Sequence, residues 1–207
     1  MNIVLGAIVA LAVATPPQTA DEIYQQAYLN CINFNAGELV VEERLEVVHN
    51  LLLVESAFFQ RYPEFPKTLR GILIAAACRE SGFNAEARGD WRTRGSRRVA
   101  MAHGVVQMWP WWIKEYRLDR DDYVSAGAAW LEQIARQYAK NKRYKRCPAR
   151  FTEERQWVAA WVQTARGGKI NRDNHYRCFE IPSHYKTLKK WRRNIKKMRT
   201  ESDSCDC

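Results

Sequence analysis

The run Ile72-Leu73-Ile74-Ala75-Ala76-Ala77 reads as part of a core helix, so this chain must fold around it. Pro66 fits the first turn of that helix, which runs through Leu69, Ile72, Leu73 and Ala76 and stops near Ser81, with Gly82 as its C-terminal break. Its last turn carries Glu80. Counting back from Glu80 by helical steps gives Ala76, Leu73, Ile72 and Leu69, so the carboxylate projects from the apolar face. Desolvation there disfavours the charged form and raises the pKa, which is the condition for a general acid near neutral pH. A pairing with Arg79 or Arg88, or rotation into solvent where the helix frays, would give the same residue a purely structural role.

The remaining punctuation is helical. Asp21 to Asn33 reads as a helix with Asp21 at its N-cap, and Leu39 to Gln60 as a longer one that ends before Pro63 and Pro66. Asp121 to Tyr138 and Thr152 to Arg166 follow, the latter closed by Gly167-Gly168, and Pro182 opens the last. Phe83 to His103 shows no sustained period, holds five arginines and reads as a long loop. Only residues 105–112, broken by Pro110, could pass for a strand. The expected fold is mainly α, and 207 residues suffice for one core.

The first twenty residues carry no charge, and Ile3 to Ala14 is a small, apolar run ending in Ala12-Val13-Ala14. Residues 1–20 therefore read as a signal peptide, with a buried first helix or a short anchor as the alternatives. Twelve apolar residues are too few to span about 30 Å of hydrocarbon, so no stable membrane span is expected. Six cysteines (31, 78, 147, 178, 205, 207) in an exported chain suggest up to three disulfides of unspecified pairing. No CxxC or His-x3-5-His spacing supports a metal site, and no cofactor motif is present.

The net charge is +10, and Lys186 to Arg199 holds eight Lys or Arg and no acid. Such a surface favours polyanions such as wall polymers, nucleic acid or anionic lipid. Tyr185, Leu188, Trp191, Ile195 and Met198 meanwhile form one apolar stripe, as on an ordinary packed helix.

Glu80-Ser81-Gly82-Phe83, then Gly89-Asp90, then Gly104-Val105-Val106-Gln107-Met108 with Pro110 resembles, in order and spacing, the lytic transglycosylase and goose-type lysozyme group. Ala160-Trp161-Val162 falls where that group has Ala-Tyr-Asn, and Tyr185, preceded by Glu180, matches a tyrosine near its end. The resemblance covers roughly residues 65–192. It implies a single lysozyme-like helical domain over 63–200, preceded by N-terminal helices at 21–62 and followed by a Cys-containing tail at 201–207.

The resemblance further implies cleavage of the MurNAc-GlcNAc bond of peptidoglycan, with Glu80 as acid and then base and a 1,6-anhydro product. Ser81, Gly104, Gln107, Trp161 and Tyr185 would contact substrate. A hydrolase would instead use Asp90 to hold water, with the carboxyls about 6.5–9.5 Å apart for inversion. Val162 replaces an amide-bearing asparagine, so Gln163 or Gln107 would have to supply that contact, or the chain binds wall glycan without cleaving it. Trp109, Trp111 and Trp112 could stack on sugars or fill core. His103 is the only histidine near the expected cleft and carries no role in this reading. The expected partners are peptidoglycan strands and the anionic wall, reached by export to the periplasm, the exterior or a virion. A nucleic-acid binder using the Arg-rich loop is disfavoured by export and by Glu80.

Overall fold

The structure is a computed structural model that describes Cys31, residues 41–119, 121–144, 151–165, Cys178 and 181–203, with backbone alone for 41, 42, 165 and 195–203. The expected signal segment, the helix at 21–33, Cys147, Gly167-Gly168, Glu180 and the cysteine tail lie outside the described residues. Among those described, the protein is mainly helical with a few short strands: α1 Val41–Arg61, α2 Ile72–Ser81, α3 Pro110–Glu115, α4 Tyr123–Tyr144, α5 Glu153–Ala165 and α6 Ser183–Asp203. No helix among them is long and apolar enough to cross a membrane.

The sequence signals explain most of these bounds. Thr152 caps α5 through its hydroxyl to the Arg155 N–H at 3.3 Å, and Asp122 caps α4 through its carboxylate to the Ser125 N–H at 3.1 Å. On α1, Val47, Val48, Leu51, Val54 and Phe58 recur at helical spacing and are buried. α2 is the centre: Ile72 through Cys78 are all buried, with α1 packed on one side and α6 on another. Close packing with α4 depends on Gly127, where a Cβ would lie 2.9 Å from Leu51 Cδ2 and 3.4 Å from Leu73 Cδ2. Cys31 is bonded to Cys78, with their Cα atoms 5.6 Å apart.

Three local expectations are corrected. Pro66 does not open α2; it precedes a 3-10 turn, Lys67–Leu69, and α2 starts only after Gly71, whose φ of 90° breaks the path. The expected loop at 83–103 contains two small antiparallel pairs. The first joins β1 (Arg88–Gly89) to β4 (Ala102–His103), and the second, nested inside it, is the hairpin β2 (Arg92–Arg94) with β3 (Arg97–Val99). Every residue of that hairpin's strands is exposed, so no buried alternation marks them in the sequence. Residues 105–112 are no strand: a turn at 104–107 leads into α3, which begins at Pro110.

Gly71 offers no side chain to cap α2, and a helix buried this completely cannot use water. The cap comes from α1: the Glu55 carboxylate accepts the Gly71 N–H at 2.6 Å and the Leu73 N–H at 3.0 Å. From α6, Arg192 donates to the Lys67 and Arg70 carbonyls, both at 2.9 Å, so an acceptor from α1 and a donor from α6 satisfy the two sides of the break. Burial pushes Glu55 up to about 7, although those N–H groups and the Arg192 charge pull it down.

The folded protein therefore holds the Glu55 proton up to about 7, whereas an ordinary carboxylate releases it near 4.5, and stability falls as pH rises between these values. The loss is complete above the folded pKa and amounts to roughly 3 kcal/mol. In urea unfolding at several pH values, Glu55→Gln is expected to abolish this slope. A slope unchanged in the variant would assign the titration to another group. Glu55→Ala is expected to cost about 2–4 kcal/mol, because it strands two buried donors and opens a void.

Candidate active site

α2 emerges from its cover only in its last turn. Arg79 and Glu80 are exposed, while Ser81 turns back inside and donates from its hydroxyl to the Ala77 carbonyl at 3.1 Å. Gly82 ends the helix in the left-handed region, φ 61°, its N–H directed at the Cys78 carbonyl. The expectation of a desolvated Glu80 is therefore corrected: its side chain is 37% exposed, because this turn runs past the elements that bury the rest of the helix. Its partner is neither Arg79 nor Arg88. His184, in the first turn of α6, places Nε2 2.5 Å from Glu80 Oε1.

His184 is held from behind. Its side chain is only 12% exposed, and its ring packs against Trp161 of α5 with centroids 4.8 Å apart at 47°. Trp161 in turn meets Trp130 of α4 edge to face at 5.5 Å. Four helices thus converge in one line of contacts, Trp130, Trp161, His184 and Glu80. His184 Nδ1 is buried and has no hydrogen-bond partner among the described residues. The imidazole is consequently committed to the carboxylate through Nε2 alone.

No protein-family model, curated protein or solved structure matches this chain.

Of the residues singled out in the sequence, the structure brings Glu80 and Trp161 to the same imidazole. Trp161 is buried, so it supports His184 and presents no open face. Tyr185, one residue beyond His184, points elsewhere: its hydroxyl donates to the Glu154 carboxylate, which also accepts from Thr68 Oγ1 at 2.6 Å. Burial first, and the Glu154 carboxylate second, push the Tyr185 phenol up to about 12. Glu154 and Trp161 are seven residues apart on α5, about 10 Å along its axis, which separates the Tyr185 contact from the His184 contact.

Gln107 ties the chain together. It closes a turn on Gly104, and its side-chain amide donates to the Gly104 carbonyl at 2.9 Å and the Ala87 carbonyl at 3.1 Å. A Cβ on Gly89 would lie 2.2 Å from Gln107 Oε1, so Gly89 must be bare for this strap to close. Gly104 holds φ at 73° and donates its own N–H to the Ala87 carbonyl at 2.8 Å. Val162 is buried. Gln163 is buried too, accepting from Gln137 at 3.1 Å and Asn141 at 2.7 Å between α4 and α5. Neither amide thus supplies a contact at Glu80. Asp90, at φ 50°, accepts the Trp109 indole N–H at 3.0 Å. His103 approaches the Ala100 carbonyl through Nε2 at 3.1 Å.

His184 itself went unread in the sequence. A histidine in Pro-Ser-His-Tyr carries no motif, and the available signal was its place one step from Tyr185 at a helix start. In a long-range nitrogen–proton spectrum the neutral His184 ring is expected as the Nε2–H tautomer, with Nδ1 bare. The opposite tautomer would mean that Nε2 does not donate to Glu80.

Proposed function

We propose that this protein is an exported enzyme that cleaves the MurNAc-GlcNAc bond of peptidoglycan as a lytic transglycosylase, with Glu80 as its acid and base. The observation that carries this reading is an accessible carboxylate at the end of a wholly packed helix, gripped on one oxygen by a buried-backed imidazole. With Oε1 held by His184, Oε2 is the oxygen that faces a substrate. Protonated Glu80 gives its proton to the glycosidic oxygen, the C1–O bond breaks, and its electron pair leaves with that oxygen. The resulting carboxylate then takes the proton of the muramoyl C6 hydroxyl as that oxygen bonds to C1, closing the 1,6-anhydro ring without water.

His184 fits such a cycle because its Nε2–H stabilises the carboxylate produced in the first half and fixes its orientation for the second. The motif order that resembles lytic transglycosylases supports the substrate class. Asp90 supports the hydrolytic variant less well, since one of its oxygens is taken by Trp109.

Incubation of the protein with peptidoglycan is expected to release fragments whose muramoyl ends are one water lighter than hydrolytic ends. Glu80→Gln should reduce release by about 10²–10⁴-fold. Full-mass ends would make it a hydrolase, binding without fragments would make it a wall-glycan binder, and an undiminished Glu80→Gln protein would remove Glu80 from the chemistry.

A further inference from the structure

We propose that the cleft between the β2–β3 hairpin and the Trp109–Trp111 segment is a second binding site, which takes an acidic polysaccharide through its carboxylates and its sugar faces. It does not include Glu80, and it stands whether or not Glu80 turns over a glycan. The cleft encloses about 680 Å³, within the range of ligand sites, and is lined by Arg88, Trp91, Arg92, Arg98, Trp109 and Trp111 among others, with no Asp or Glu in its wall.

The charge here is uncompensated. None of Arg88, Arg92, Arg94, Arg97 or Arg98 has a carboxylate partner among the described residues. Arg94 even stands directly opposite Arg97 in the hairpin register, a like-charge pair that weakens a short exposed hairpin. A fold gains nothing from concentrating guanidinium groups this way, whereas an anionic ligand would.

Two of these groups are pre-positioned. Arg92 lies over the Trp109 ring at 4.8 Å and Arg98 over the Trp91 ring at 5.6 Å, which leaves their N–H edges free for the paired oxygens of a carboxylate. Trp109 is fixed by Asp90 at one end and by Trp111 at 4.6 Å. Trp91 and Trp111 are each 48% exposed, a large apolar display beside so many charges. The exposed Trp111 indole beside these guanidinium groups suits a ring with an apolar face, a hydroxyl edge and a carboxylate. The Asp90 carboxylate beside them can accept sugar hydroxyls.

The test uses the full chain carrying Glu80→Gln, so that cleavage cannot interfere, with tryptophan fluorescence and calorimetry as readouts. Polygalacturonate is expected to bind and neutral dextran not to. Arg92→Gln with Arg98→Gln, and separately Trp111→Ala, should each weaken polygalacturonate binding at least tenfold while leaving the helical circular dichroism unchanged, since all three side chains are exposed or half-exposed. Lys189→Gln with Lys190→Gln, exposed on α6, should change it less than twofold. Equal losses from the α6 pair would reduce the effect to diffuse charge and overturn the site. So would binding that ignores the cleft substitutions, equal binding of dextran, or tighter, cleft-dependent binding of single-stranded oligothymidylate.

Discussion

The contact on which the rest depends is the Glu55 carboxylate on the first N–H groups of α2. α2 is buried on all sides through Cys78, so its N-terminal donors have no water to turn to, and Gly71 has no side chain to lend. Glu55 answers from α1, while Arg192 answers for the carbonyls just before the break. Removing Glu55 would strand two buried donors, and the position of the α2 C-terminus, hence of Glu80, follows from how its N-terminus is anchored. The arrangement has a cost, visible in a carboxylic acid held up to about 7 by burial.

At the opposite end of α2 the physics is reversed. Glu80 is displayed, and its order comes from a partner that is itself packed: His184 against Trp161, and Trp161 against Trp130. Among the described residues the imidazole's one hydrogen bond is to Glu80, and its packing against Trp161 opposes a swing that would give that bond up. Helices α2, α4, α5 and α6 each contribute one residue, so the geometry of the pair is set by the whole bundle and by no single loop.

Much of the helical framework was legible, because its signals are local. Thr152, Asp121 and Pro182 mark starts to within two residues, Gly82 marks a stop, and the apolar spacing on α1 marks a face. The β2–β3 hairpin was not legible, since strands made of Arg, Thr and Val with both faces in water show no alternation, and its turn relies on Gly95 at the tip. The start of α2 was misplaced because Pro66 is a stronger sequence signal than Gly71, although the left-handed turn at Gly71 is what reorients the chain. Trp161 was found through its motif position, but its role as a support for His184 depends on a contact between α5 and α6 that no local pattern encodes.

The protein does desolvate a carboxylate on an apolar helix face, but it is Glu55 and not Glu80. Glu55 sits in Leu51-Leu52-Leu53-Val54-Glu55-Ser56-Ala57-Phe58-Phe59, as apolar a setting as that of Glu80, and it is Glu55 that is buried with a strongly raised pKa. Yet both its oxygens are occupied by backbone N–H groups, so a substrate could reach neither. A perturbed pKa in a packed protein marks desolvation first and chemistry only where an oxygen remains open. Glu80 comes nearer to that second condition: one oxygen is held by His184, and the side chain as a whole is 37% exposed. The choice between the two glutamates therefore rests on access, which a helical count along the sequence does not reveal.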